Sequence, residues 1–324
     1  VTTSRTRLCC LIGDPVDHSL SPQMFSAAFS SLGLDYAYLA FRVRREDLGV
    51  ALEGLRATGF AGCNVTVPHK ISVIRHLDRL DPHAELAGSV NVVANRGGEL
   101  VGYSTDGEAA LISLEANGVS IDGRRVLIVG YGGAARAVAF EIALKRKPER
   151  LLITGRDPAK ASELAAELGR LTGAPASAAA LDAVARGGEG GGREVEVKIE
   201  MEEKEAGEER AGAGAGTGTG TGTGVGAGAA DADIIINATP SGMHPLVGEC
   251  PLPAGALREG AAVLDLVYNP AETRLLRLAK ERGCTAIDGL EMLVQQGARG
   301  FSIWTGIAAP VGVMREAVRG GRGR

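Results

Sequence analysis

Long apolar runs are missing from this 324-residue chain, and no stretch approaches the roughly 18 residues needed to cross a bilayer as a helix. The opening segment VTTSRTRLCCLIGD has an apolar core too short for a secretory signal, so a cytoplasmic location is expected. Cysteine is scarce too. Cys9, Cys10, Cys63, Cys250 and Cys284 show no C-x-x-C spacing and sit among apolar neighbours, which favours small buried hydrophobes over metal or disulfide roles. Neither charge dominates: 35 Lys and Arg face 39 Asp and Glu, a formal net charge of −4. Nucleic acid and anionic membranes are therefore not expected as main partners. His69, His76 and His83 recur every seven residues, but Pro82 breaks any shared helical face. No metal is expected.

Hydrophobic residues make up 45% of the chain, enough to bury a sizeable core, most simply as two domains. Short apolar strands alternate with amphipathic segments. LCCLIG (Leu8–Gly13) and YAYLAFRV have strand character. LSPQMFSAAFSSLG predicts a helix with Ser21 as N-cap, Pro22 at the first helical position, Phe25, Ala28, Phe29 and Leu32 on one face, and Gly33 as the stop. REDLGVALEGLRATG repeats the pattern with Leu48, Leu52 and Leu55 inward. This alternation predicts an α/β fold with a mostly parallel sheet. It continues from about Thr105 through GEAALISLEANG and two further strand–helix units. From about 186 to 230 the composition turns acidic and Gly-rich, then almost purely Ala, Gly and Thr. Too few large apolar groups occur there to offset chain entropy, so a disordered surface insertion is expected, with REVEVKIEM as a stray strand candidate inside it. The final RGGRGR is expected to be a solvated, disordered end.

VLIVGYGGAARA places Gly130, Gly132 and Ala135 in G-x-G-x-x-A spacing between a strand and a helix. That context suits a dinucleotide pyrophosphate, which needs close backbone approach and a helix N-terminus. The next strand ends in LLITGRD. Arg156, with Lys160 one helical turn on, favours a 2′-phosphate and hence NADP, whereas Asp157 offers a carboxylate to an unphosphorylated ribose. A reductase also needs a proton donor beside the reacting carbonyl. GFAGCNVTVPHK predicts a short strand, Cys63 to Val67, stopped by Pro68 and followed by Lys70. GYSTDG puts Asp106 on a loop before a helix, a position from which it could hold that lysine.

Eight segments in order, GDPVDHSLSP, GFAGCNVTVPHK, SVNVV, GYSTDG, GYGGAARA, NATPSGM, DLVYNPAET and GLEMLVQQGARGFSIWTG, resemble the successive motifs of the shikimate dehydrogenase family. The resemblance covers nearly the whole chain outside the insertion and the tail. It implies reversible reduction of 3-dehydroshikimate to shikimate with NADPH, in the pathway to chorismate and the aromatic amino acids. Lys70 and Asp106 match that family's catalytic pair. Ser19 and Ser21 match the serines that bind the substrate carboxylate. Thr66, Asn91 and Gln296 match residues that contact the ring hydroxyls or line the pocket, and Tyr268 matches a tyrosine near the substrate. The implied cofactor set is Gly130, Gly132, Gly133, Ala134, Ala135 and Arg136 in the turn, and Thr154, Gly155, Arg156 and Lys160 after the second strand. Thr239, Pro240, Met243, Leu266, Gly289 and Met292 complete it, Met292 close to the nicotinamide. Departures are Ser104 for the asparagine of N-T-D-G, Val92 for a threonine, and Gly155 and Asp157 for the residues flanking Arg156.

The implied architecture is a substrate-binding and catalytic domain at 1–106 and 288–324, with a Rossmann-like NADP domain at 107–287. In the returning C-terminal segment, Leu290, Leu293, Val294, Ala298 and Phe301 have core spacing. A monomer or homodimer acting on a small acid is expected. Two alternatives stay open at this level: a quinate/shikimate dehydrogenase preferring NAD, and a catalytically silent homologue that binds a small acid.

Overall fold

The structure, a computed structural model, describes residues 2–185 and 231–321. The insertion expected at 186–230, with its strand candidate, lies outside the described residues, as do 322–324. Two six-stranded sheets organise the fold. The first contains β1 (Arg7–Gly13), β2 (Tyr36–Arg42), β3 (Gly62–Val65), β4 (Arg79–Leu80), β5 (Val92–Arg96) and β6 (Glu99–Tyr103), in the order β2-β1-β3-β5-β6-β4. The second contains β7 (Arg125–Val129), β8 (Arg150–Gly155), β9 (Ala176–Ala180), β10 (Ile234–Asn237), β11 (Ala262–Asp265) and β12 (Thr285–Ile287), in the order β12-β11-β10-β7-β8-β9.

All pairs of the second sheet are parallel. Its strands read as unbroken apolar runs such as VLIV and III because helices cover both faces. The first sheet is also mostly parallel, with β1–β2, β1–β3 and β4–β6 parallel, and the exception is β5, which runs antiparallel to both β3 and β6. The cause is local. Arg96 pairs with Glu99 across a two-residue turn in which Gly97 (φ 69°) and Gly98 (φ 101°) both take positive φ, the requirement of a tight hairpin.

Helices α1 (Ser21–Ser31), α2 (Leu48–Ala57) and α3 (Pro82–Ala87) accompany the first sheet. Ser21 is the first residue of α1 rather than its N-cap; Leu20 stands at the cap without a side-chain bond, and Ser19 Oγ accepts from the Ser21 N–H at 3.2 Å. Helices α4 (Asp106–Ala116), α5 (Gly133–Lys145), α6 (Pro158–Thr172), α7 (Leu181–Ala185) and α8 (Arg274–Glu281) follow. The chain then returns through α9 (Leu290–Thr305) and α10 (Val311–Gly321), and α10 contacts α1. Arg319 to Gly321, expected in the disordered end, are thus helical. Phe25 and Phe29 of α1, Tyr38 of β2, and Phe301 and Trp304 of α9 form one buried cluster, with Phe25 stacked on Tyr38 at 4.3 Å. Trp304 Nε1 donates to the Val93 carbonyl at 2.9 Å, tying the end of the chain to the first sheet. Among the described residues no helix is long and apolar enough to cross a membrane.

Candidate active site

Lys70 lies in the loop after β3, which ends at Val65, short of the expected Val67, and the chain turns at Thr66 with the His69 N–H on the Thr66 carbonyl at 2.9 Å. Two further bonds hold this loop. His69, fully buried, places Nε2 2.7 Å from the Val43 carbonyl, and the Lys70 carbonyl accepts from the Val90 N–H at 2.8 Å. Thr66 packs against the end of β1, where a Cβ on Gly13 would lie 2.3 Å from Thr66 Cγ2. Glycine alone permits that approach.

Lys70 Nζ donates to Asp106 Oδ2 at 2.5 Å. The lysine side chain is 19% exposed and the aspartate side chain 4%, so the pair is largely withdrawn from water. Asp106 is the first residue of α4, where the positive end of the helix dipole favours a carboxylate. Its other oxygen accepts from Asn91 Nδ2 at 3.0 Å. Asn91 also faces Thr105 Oγ1 at 2.8 Å and Gln296 Oε1 at 3.2 Å, and its own Oδ1 accepts from the Thr105 N–H at 2.7 Å. Residues from β3's loop, the start of β5, the start of α4 and α9 thus converge on one polar cluster. Ser19 shares a hydrogen bond with the Tyr268 phenol, while Ser21 is buried and bonded to Tyr38, whose hydroxyl donates to Asn64 Oδ1 at 2.6 Å.

Strand order in the second sheet reverses between β7 and β10, and such switch points open a crevice at the carboxyl ends of the strands. The glycine turn sits there. Gly130 has φ 123°, and a Cβ on it would meet the Ala238 carbonyl at 2.9 Å, so the turn lies against the Thr239 loop after β10. Nothing stands within 4 Å of a Cβ on Gly132. A Cβ on Gly133, the first residue of α5, would lie 2.5 Å from Lys70 Cβ and 2.8 Å from Ser89 Oγ. The nucleotide turn therefore touches the lysine directly. Across the crevice, Gly289 lets α9 start 2.6 Å, measured from a Cβ position, from the Leu266 carbonyl. His18 and His244 meet from opposite sides with ring centroids 4.2 Å apart. The loops after β10 and β11 are braced by buried Asp265, which accepts from Asn237 Nδ2 at 2.9 Å, Thr273 Oγ1 at 2.6 Å and the Val267 N–H at 3.1 Å. Burial pushes its carboxyl up to about 6, and these three bonds hold it from rising further.

Residues 11–93 match the shikimate dehydrogenase substrate binding domain, and residues 289–319 match the shikimate 5′-dehydrogenase C-terminal domain. The chain is 44% identical to the shikimate dehydrogenase (NADP+) of Moorella thermoacetica over 97% of its own length and 93% of the relative's. The chain belongs to the shikimate dehydrogenase family. A crystal structure of a shikimate dehydrogenase in complex with NADP+ is 36% identical and superposes with a TM-score of 0.81, covering 100% of this chain and 98% of the other. The Thermus thermophilus enzyme in complex with NADP(H) and shikimate is 32% identical with a TM-score of 0.74, covering 97% and 98%.

Within this shikimate dehydrogenase fold several residues expected at the cofactor point elsewhere. Arg136 gives its guanidinium to the Ala87 carbonyl at 2.7 Å and to Glu167 at 2.8 Å, bracing α5 against α3 and α6. Ala135 is core, and Thr154 Oγ1 turns into the sheet to donate to the Ala179 carbonyl at 2.9 Å. Asp157 caps α6, accepting from the N–H groups of Ala159 at 3.1 Å and Lys160 at 3.4 Å. Arg156 is exposed, with no hydrogen bond or ion pair among the described residues. Three residues escaped the sequence analysis: His69 and Asn64, which fasten the loop and strand beside Lys70, and Thr105, which locks Asn91. The only sequence signal was their position inside the motifs. Among the described residues no group of three His, Cys, Asp or Glu could hold a metal ion.

Proposed function

We propose that the protein reduces the ring carbonyl of 3-dehydroshikimate to the hydroxyl of shikimate, reversibly, with NADPH as reductant. The observation that carries this is the withdrawn Lys70–Asp106 pair lying directly against the N-terminal turn of α5. Full-length relatives named shikimate dehydrogenase (NADP+) support the same activity. NADPH supplies the hydride when bound. The chain's residues fit that cofactor: Gly130 and Gly133 keep a cradle that side chains would fill, and Gly132 leaves open space above the helix N-terminus for a pyrophosphate. Arg156 and Lys160 offer two cations to a 2′-phosphate, while Asp157 is occupied as a helix cap. Thr239, against the glycine turn, and Leu266, against Gly289, would flank the cofactor together with Ala134, Pro240 and Met243, and Met292 would face it from the core in which it is buried.

Lys70 gives its proton to the carbonyl oxygen as negative charge develops there, and takes it back in the reverse direction. Asp106 holds the ammonium in place and, with Asn91, Thr66 and Gln296, orients the ring hydroxyls. Ser19 and Ser21 receive the substrate carboxylate, with Tyr268, hydrogen-bonded to Ser19, near the substrate. The working units are 1–106 with 288–324 for substrate and 107–287 for cofactor. The formal charge of −4 supports small-molecule ligands rather than nucleic acid. The test is initial-rate oxidation of shikimate and of quinate, each with NADP+ and with NAD+. Shikimate with NADP+ should far exceed the other three; a preference for NAD+ would reverse the cofactor assignment, and no turnover in any combination would remove the activity.

A further inference from the structure

One departure from the family pattern, Gly155, fits against Tyr131 of the glycine turn. Gly155 stands where the pattern has asparagine, and Tyr131 is the middle residue of Gly130-Tyr131-Gly132. A Cβ on Gly155 would lie 2.6 Å from Tyr131 Cε1 and 2.7 Å from Cδ1, so the phenol ring already fills the space that a side chain at 155 would need. Lys160 Nζ stands 5.9 Å from the centroid of the same ring, within cation–π reach. A competitor is close: Asp157 Oδ2 is 3.5 Å from Lys160 Nζ, and the lysine side chain is 60% exposed. Arg156 beside them is exposed and unpaired among the described residues.

We propose that Tyr131 is a specificity-determining residue for the 2′-phosphate of NADP. Its ring fills the space of the missing side chain at 155 and gives the Lys160 ammonium, which stands 3.5 Å from Asp157, a second partner on the Arg156 side from which it reaches a bound 2′-phosphate. A flexible lysine becomes, with Arg156, half of a two-cation clamp for a dianionic phosphate. The Gly155 departure is then a fit to Tyr131, not a loss. The inference rests on the cofactor assignment above.

The test is calorimetric titration of the full chain with adenosine 2′,5′-bisphosphate and with 5′-AMP, which differ only by the 2′-phosphate. The wild type should prefer the bisphosphate. Tyr131→Leu should lower that preference by about 2- to 5-fold, the scale of an exposed cation–π contact, while Tyr131→Phe keeps it. Gly155→Asn should lower it as well by displacing the ring, and adding Tyr131→Ala to Gly155→Asn should cost little more. A preference unchanged in Tyr131→Leu, or both ligands weakened equally, overturns the proposal and leaves the cofactor assignment intact. Fully additive losses in the double variant overturn the fit between the two positions. No preference in the wild type overturns both the proposal and the cofactor assignment.

Discussion

Lys70 acts from a loop fastened beneath by His69 on the Val43 carbonyl and behind by Val90 on its own carbonyl, so its ammonium meets Asp106 with little freedom left to lose. Lys70→Ala should lower kcat for shikimate oxidation by about 10²- to 10⁴-fold, the usual contribution of a placed proton donor, with an unchanged circular dichroism spectrum. A variant within tenfold of wild type would remove the assignment. Lys70, Asp106, Asn91 and Gln296 were legible in the sequence because each sits inside a motif, and the structure brings the four into one cluster. Arg136 was not, because its partners, Ala87 and Glu167, lie far away in sequence and no local pattern announces them. Nor does the sequence say that the Asp157 carboxylate turns back to cap its own helix.

At the scale of elements, the ends of β10 and β11 share the buried carboxyl of Asp265, and with it the loops that border the cofactor crevice. That carboxyl is pushed up to about 6 from an ordinary 3.8, so the fold favours its neutral form. The stability gained from neutrality is complete below about pH 4 and is lost as pH rises through about 6. Asp265→Asn cannot ionise. As pH rises from 4 to 7.5, its stability relative to wild type should therefore improve by up to about 3 kcal/mol, read by urea denaturation at both values. A difference independent of pH would mean that Asp265 is not desolvated as described. Sequence alternation delivered α1, α2, β1, β2 and the β7–α5–β8–α6 run with small shifts at their ends. A mostly parallel sheet follows from that alternation, but the antiparallel β5 does not: its sign is the pair of adjacent glycines between short apolar runs, which closes a hairpin.

Over the whole molecule, the first sheet is completed by the last helices. Trp304 brings its indole from α9 to the Val93 carbonyl, and Gly62 makes room for it, since a Cβ there would lie 2.4 Å from Trp304 Nε1. Trp304→Ala should destabilise the protein by about 3–5 kcal/mol in chemical denaturation, the range for removing a large aromatic from a packed core. A loss below 1 kcal/mol would mean that α9 is only loosely docked. The return of the chain also sets an order of events during synthesis. Lys70 and Asp106 leave the ribosome early, but Gln296 and the helices that cover Phe25 and Phe29 leave it after the entire second sheet. For that interval the newborn chain displays an aromatic face with its partner not yet made, and chaperones have their longest opportunity there.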